Sequence, residues 1–129
     1  MMELKIFDKV EGEGYIVGLG ELIKRVELFD SNLLDGKWEI IKGAYGYGEL
    51  ICSIEDELKK GRQYIIDGKN IFSVLKSEKE YFYHACMKKI DSEVEIGIFD
   101  STNLFIRSNS EELLNQVKNY FKDAKIVDF

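Results

Sequence analysis

Residues 93–98 read Glu-Val-Glu-Ile-Gly-Ile, so an apolar side chain falls at every second position. Only an extended strand turns alternate residues to one face, and the run is read as a half-buried strand. Its flanks narrow the choice of fold further. Tyr81 to Ile90 reads as a strand rich in aromatic residues, closed by an Asp91-Ser92 turn. Asp100-Ser101-Thr102-Asn103 is a second turn, because these side chains bond nearby backbone groups, and Leu104 to Arg107 gives a third strand. Together they predict an antiparallel meander over 81–107 with one wet face.

Beyond the meander the period changes. Leu113, Leu114, Val117, Tyr120 and Phe121 recur at helical spacing, and Ser108 with Glu111 matches a capping box. Glu111-Glu112 lead this segment and Lys122 and Lys125 trail it, as the helix dipole prefers. The pattern predicts an amphipathic helix over 109–123, with Lys125 to Phe129 returning to the sheet as a last strand.

The first half is punctuated by glycine alone, since the chain contains no proline. Asp35-Gly36 lies between Leu33-Leu34 and Trp38-Glu39-Ile40-Ile41, and Asp67-Gly68 between Tyr64-Ile65-Ile66 and Ile71-Phe72. Asp-Gly between apolar runs signals a hairpin, because glycine accepts the positive φ of a tight turn, so two hairpins are expected. Leu4 to Phe7 and Tyr15 to Leu19 read as strands, while Glu21 to Phe29 has helical spacing but could also be extended. Ser53 heads an acidic-to-basic run, Ile54 to Lys60, closed by Gly61, which reads as an N-cap, a dipole-matched helix and a glycine C-cap. Strands grouped together with few intervening helices point to α+β, in one domain over 1–129, with a mainly antiparallel sheet and one or two further short helices.

Charge bears on partners. Eighteen Lys and Arg face 24 Asp and Glu, a net charge of −6, and basic residues cluster only in pairs such as Lys24-Arg25 and Lys88-Lys89. Such a surface repels phosphate backbones and anionic lipid, so neither direct nucleic-acid binding nor membrane binding is expected; it favours basic partners or simply solubility. No apolar segment approaches the roughly 20 residues that span a bilayer, and Met1-Met2-Glu3-Leu4-Lys5 lacks a basic start and apolar run. Two cysteines, Cys52 and Cys86, are too few for a disulfide framework. The expectation is a cytoplasmic protein with reduced thiols.

Three constellations could carry chemistry. Gly43-Ala44-Tyr45-Gly46-Tyr47-Gly48 lacks the lysine and Ser/Thr of a phosphate loop, and lacks the glycine spacing of a dinucleotide fold. Two tyrosines on a glycine frame read instead as a recognition loop, since tyrosine offers large contact area with one polar tip; the plainer reading is a turn covering the core. Glu93 and Glu95 share a strand face at a spacing that suits paired catalytic carboxylates, or an ordinary solvated face. His84 and Cys86 also share a face, but no third orienting group is evident and a structural thiol is the plainer reading. Neither a calcium loop nor a zinc motif appears, and no metal or cofactor is expected.

Glu95 to Arg107, its strand–Asp-Ser turn–strand pattern, the capped helix after it and the closing Lys125-Ile126-Val127 together resemble small bacterial immunity proteins of polymorphic-toxin and contact-dependent growth inhibition systems. The resemblance implies a non-catalytic antitoxin that binds a cognate toxin domain, often a basic nuclease, and blocks its active site. Tyr45 and Tyr47 are then the expected anchors of this protein–protein interaction, and Glu49, Asp91, Glu93 and Glu95 the acidic contacts. The alternatives are a small-ligand or regulatory module closed by the tyrosine loop, and a small enzyme using the carboxylate pair or Cys86.

Overall fold

Alternation along the strands decides which way the sheet faces. The computed structural model describes residues 1–129 in an α+β fold. The chain runs β1 (Met2–Ile6), α1 (Leu19–Phe29), a 3-10 turn (Ser31–Leu34), β2 (Lys37–Ile40), β3 (Tyr45–Tyr47) and α2 (Glu49–Lys59). It continues through β4 (Tyr64–Asp67), α3 (Gly68–Ser77), β5 (Tyr81–Lys89), β6 (Glu95–Phe99), β7 (Asn103–Ser108), α4 (Glu111–Lys118) and β8 (Ala124–Asp128). One antiparallel sheet has the order β4-β2-β5-β6-β7-β1-β8, with β3 paired to β5 beyond the end of β2.

Leu4, Ile6, Trp38, Ile40, Met87, Ile96, Ile98, Leu104 and Ile106 all turn to the same side and are buried. The four helices lay their apolar stripes on that side, among them Leu22 and Val26 of α1, Ile51 and Ile54 of α2, Ile71 and Leu75 of α3, and Leu114 and Val117 of α4. Each such side chain contributes about 1.5–3 kcal/mol by leaving water. The opposite face, with Lys5, Glu39, His84, Lys88 and Phe99, carries no helix.

The meander, the first strand and the returning C-terminal strand form where the sequence places them. Of the two readings of Glu21 to Phe29 the helical one is found, residues 15–18 stay outside any strand, and three further helices form rather than one or two. The two Asp-Gly dipeptides do not close hairpins of their own. Gly36 (φ +86) follows the 3-10 turn, and Gly68 opens α3, so Ile71 and Phe72 are helical. The dipeptides instead meet each other at one end of the β2–β4 ladder: the Gly68 N–H donates to the Gly36 carbonyl at 2.8 Å, and Lys37 pairs with Asp67 at 2.9 Å. A Cβ at Gly68 would lie 1.9 Å from the Leu34 carbonyl oxygen, so close approach, rather than a tight turn, explains this glycine.

Two caps also move. Helix α2 starts at Glu49, four residues before Ser53, and the Glu80 carboxylate caps it from across the chain by accepting from Leu50 N (2.8 Å) and Ile51 N (3.2 Å). At α4 the cap is Ser110, whose hydroxyl accepts from Leu113 N at 3.2 Å, whereas Ser108 is buried at the end of β7. The helix ends at Lys118, short of 123, because Asp8 accepts from Lys122 N and Asp123 N at 2.8 and 2.7 Å and draws the chain back toward the sheet. Tyr120 and Phe121 thereby leave the helix.

Candidate functional site

Gly46 is the reason β3 can lie against β5. A Cβ there would meet the Tyr81 carbonyl oxygen at 2.1 Å and the Phe82 Cα at 2.7 Å. Tyr45 pairs with His84 but Gly46 with Phe82, so Tyr83 is the extra residue of a β-bulge. The bulge reverses the side-chain phase of β5. Strict alternation from Ala85 and Met87 would send Tyr83 and Tyr81 into the core; instead Phe82 is buried and both tyrosines are exposed.

The result is a continuous row of rings. Tyr47 stacks on Tyr81 (centroids 5.4 Å apart), Tyr81 meets Tyr83 edge to face (5.5 Å), and Tyr83 lies 5.9 Å from Tyr45. Tyr45 stacks on His84 at 6.2 Å, and His84 meets Phe99 at 5.4 Å. Tyr47 and Phe99 are 58% and 53% exposed, and the three tyrosines between them about 40%.

The turn after β6 anchors one end of this row. Asp100 and Ser101 both hold positive φ, +42 and +58. The Tyr45 hydroxyl donates to the Asp100 carboxylate at 3.1 Å, and Asp100 N donates to His84 Nδ1 at 3.3 Å. The bond to Asp100 holds the Tyr45 phenol above its ordinary pKa, and contact with Tyr83 does the same for Tyr81. Both hydroxyls therefore stay neutral through the physiological range, as donors with one end wet.

Beside the row opens a cleft of about 840 Å³ between residues 8–18, the start of α1, the end of α3 and the chain after α4. Tyr81 and Tyr83 belong to both the row and the cleft wall; Tyr15 and Tyr120, 60% and 50% exposed, stand on the other sides.

The six residues expected to form one contact surface are split. Tyr45 and Tyr47 sit in the row, and Glu49 is exposed in the first turn of α2 two residues on. Asp91 and Glu93 lie in the β5–β6 turn, at the far end of β5, roughly 25 Å away at the rise of a strand. Glu93 takes a hydrogen bond from Asn109. Glu95 is not a free carboxylate either: Arg107 donates to it at 3.0 Å and to Glu3 at 2.7 Å, and the guanidinium lies over the rings of Phe105 (4.2 Å) and Phe129 (3.9 Å). Burial works against the Arg107 charge, but the bonds to Glu3 and Glu95 outweigh it and raise its pKa. Glu93 and Glu95 thus have separate partners and do not converge.

Cys86 borders this nest, 3.7 Å from Glu95 and 3.8 Å from Arg107. Burial, with the Glu95 charge added, pushes its thiol up to about 11, which makes it a poor nucleophile at neutral pH. Tyr81, Tyr83, Phe99, Tyr15 and Tyr120 were not legible as site residues: a bulge turns out Tyr81 and Tyr83, a prematurely ended helix frees Tyr120, and Phe99 and Tyr15 join them only through tertiary contacts. No group of three or more His, Cys, Asp or Glu side chains is placed to hold a metal ion, and no helix is long and apolar enough to cross a membrane. No protein-family model, no curated protein and no solved structure matches the chain.

Proposed function

We propose that this protein is a non-catalytic binding protein that neutralises a cognate basic toxin domain, a nuclease, by occluding its active site, and that it docks through the aromatic row. The observation that carries this is the unbroken run of six rings from Tyr47 to Phe99, five of them exposed and His84 half-buried. Contiguous exposed aromatic surface of this kind marks interaction sites, and tyrosine is prominent among the residues that dominate binding energy. The net charge of −6 supports a basic partner, whose capture it speeds. The contact set is accordingly Tyr45, Tyr47, Tyr81, Tyr83 and Phe99, with Glu49 and Asp100 as rim carboxylates; Asp91, Glu93 and Glu95 fall outside it.

The size of the cleft favours a second reading, a small-ligand or regulatory module, since ligand sites commonly enclose roughly 300–1,000 Å³. The enzyme reading has less behind it, because the carboxylates do not converge and the Cys86 thiol is held protonated.

The test is co-expression with the C-terminal domain of a large secreted protein encoded immediately upstream. Rescue of growth and co-purification of a stable complex are expected, with Tyr47→Ala and Tyr81→Ala each losing at least about tenfold in affinity. A neighbouring gene without such a domain, or capture indifferent to both substitutions, overturns the proposal.

A further inference from the structure

The walls of the cleft carry fixed charge of one sign. Asp8, Glu21 and Glu78 line it, and no lysine or arginine does. Asp8 is committed to backbone N–H groups at 2.8 and 2.7 Å, and Glu21 is bonded to Arg25 at 3.0 Å. Glu78 is different: it is exposed, has no ion-pair partner, and is held at φ +59 where α3 ends, beside Gly18 and Gly20 at the start of α1. Glu11 and Glu13, exposed and also unpaired, stand on the loop that carries Tyr15. Four phenol rings complete the surroundings, Tyr15, Tyr81, Tyr83 and Tyr120.

The protein already seats one guanidinium in such a setting. Arg25 lies over the ring of Tyr120, 4.8 Å from its centroid, while bonded to Glu21. A planar guanidinium gains from both contacts at once, by stacking on a ring and by bonding a carboxylate, which a lysine ammonium does less well. Glu78 faces the same cleft with no cation of its own.

We propose that the cleft takes an arginine side chain from an extended basic segment of the docked partner, its guanidinium among the four tyrosine rings and paired with Glu78. This rests on the docking reading above and deepens it. A protein segment is favoured as occupant because Tyr81 and Tyr83 make the cleft wall continuous with the aromatic row, so a partner on the row reaches the cleft without a gap. The volume, about 840 Å³, admits an arginine together with flanking residues.

The test uses the full chain and two fluorescent peptides, acetyl-Leu-Arg-Leu-Arg-Leu-amide and the same peptide with citrulline for arginine, followed by anisotropy at low salt. Citrulline keeps the shape and removes the charge. The arginine peptide is expected to bind roughly tenfold more tightly than the citrulline peptide, and Glu78→Gln and Tyr15→Ala are each expected to weaken it roughly fivefold. Asp56→Asn, which removes the same charge from α2 outside the cleft, should leave it unchanged. Absence of binding at millimolar peptide, equal binding of the two peptides, or indifference to both Glu78→Gln and Tyr15→Ala overturns the proposal. If the arginine peptide fails while Tyr47→Ala still abolishes capture of the toxin domain, the cleft assignment alone falls. If the peptide binds as described and no toxin domain is captured, the docking reading falls and the site remains.

Discussion

Two aromatic regions emerge on the side of the sheet that no helix covers, and they are built to opposite ends. Around Arg107, every charge has a partner: Glu3 and Glu95 take the guanidinium, Phe105 and Phe129 sandwich it, and Phe105 closes over Gly97. Apart from Phe129, which is 62% exposed, the side chains there are mostly out of solvent, with Glu3 only 5% exposed. Along Tyr47–Phe99, the rings touch one another but leave large parts of themselves in water, and only Tyr45 and His84 are tied to Asp100. A surface whose polar groups are all satisfied internally has nothing left to offer a partner, whereas exposed rings gain by being covered. Glu95, expected from the sequence as a free acidic contact, belongs to the first kind, and Tyr81 and Tyr83, which the sequence does not single out, belong to the second.

This contrast can be broken at its foundations. Gly46→Val should have the largest effect, about 3 kcal/mol of lost stability, because the new side chain collides with β5 backbone rather than with a flexible side chain. Chemical denaturation would read that loss, and the row should lose its order with it; a stable, partner-binding Gly46→Val protein would show that β3 does not need to lie so close. Arg107→Ala should cost about 2 kcal/mol, less than for a fully buried pair because the site keeps some water, and it should leave affinity for the partner within about twofold. A large loss of affinity in a still-folded Arg107→Ala protein would merge the two regions into one function.

Smaller effects sharpen the comparison. Tyr47→Ala should lower partner affinity by about 1.5 kcal/mol while the melting midpoint moves by no more than about 2 °C, since the ring is 58% exposed. Glu80→Ala should remove about 1 kcal/mol through the lost cap of α2, and Glu80→Gln, which keeps an acceptor, should recover part of it in the same melts.

Least of all should change at Cys86. In its ordinary state the thiol titrates at 9.0 and in the fold at about 11, so folding favours the neutral form. That contribution is fully present below about pH 9 and is lost as pH rises toward 11. Iodoacetamide at pH 8 should therefore modify the exposed Cys52 and spare Cys86, as peptide mapping would show. Rapid labelling of Cys86 at that pH would restore it as a reactive group.

The strand pattern of 93–107 survives folding because its period is written in neighbouring residues: Ile96 and Ile98 face the core as Leu104 and Ile106 do. The caps were less legible, since an N-cap can be supplied from anywhere that brings an acceptor, and Glu80 does so from 30 residues away. The two Asp-Gly pairs need glycine for different reasons: Gly36 holds a positive φ, a local requirement, whereas Gly68 must clear Leu34, and outside those pairs Gly46 must clear Tyr81, requirements that arise between segments. Of the site itself, the sequence shows Tyr45, Tyr47 and Glu49; Tyr81 and Tyr83 are hidden behind an alternation that a bulge interrupts, and His84 and Phe99 enter the row only because β5 and β6 pair beside β3.

Residue order alone thus determined the α+β class, the meander, the helix that follows it and the surplus of negative charge, because each depends on local period or on simple counting. Tertiary structure alone decided that Glu95 is spent on Arg107, that Tyr81 and Tyr83 face water, and that Tyr120 leaves its helix to border a cleft. Those outcomes turn on contacts between residues far apart in the chain, where a single extra residue in one strand, or one carboxylate capturing a distant N–H, reverses which way a side chain points.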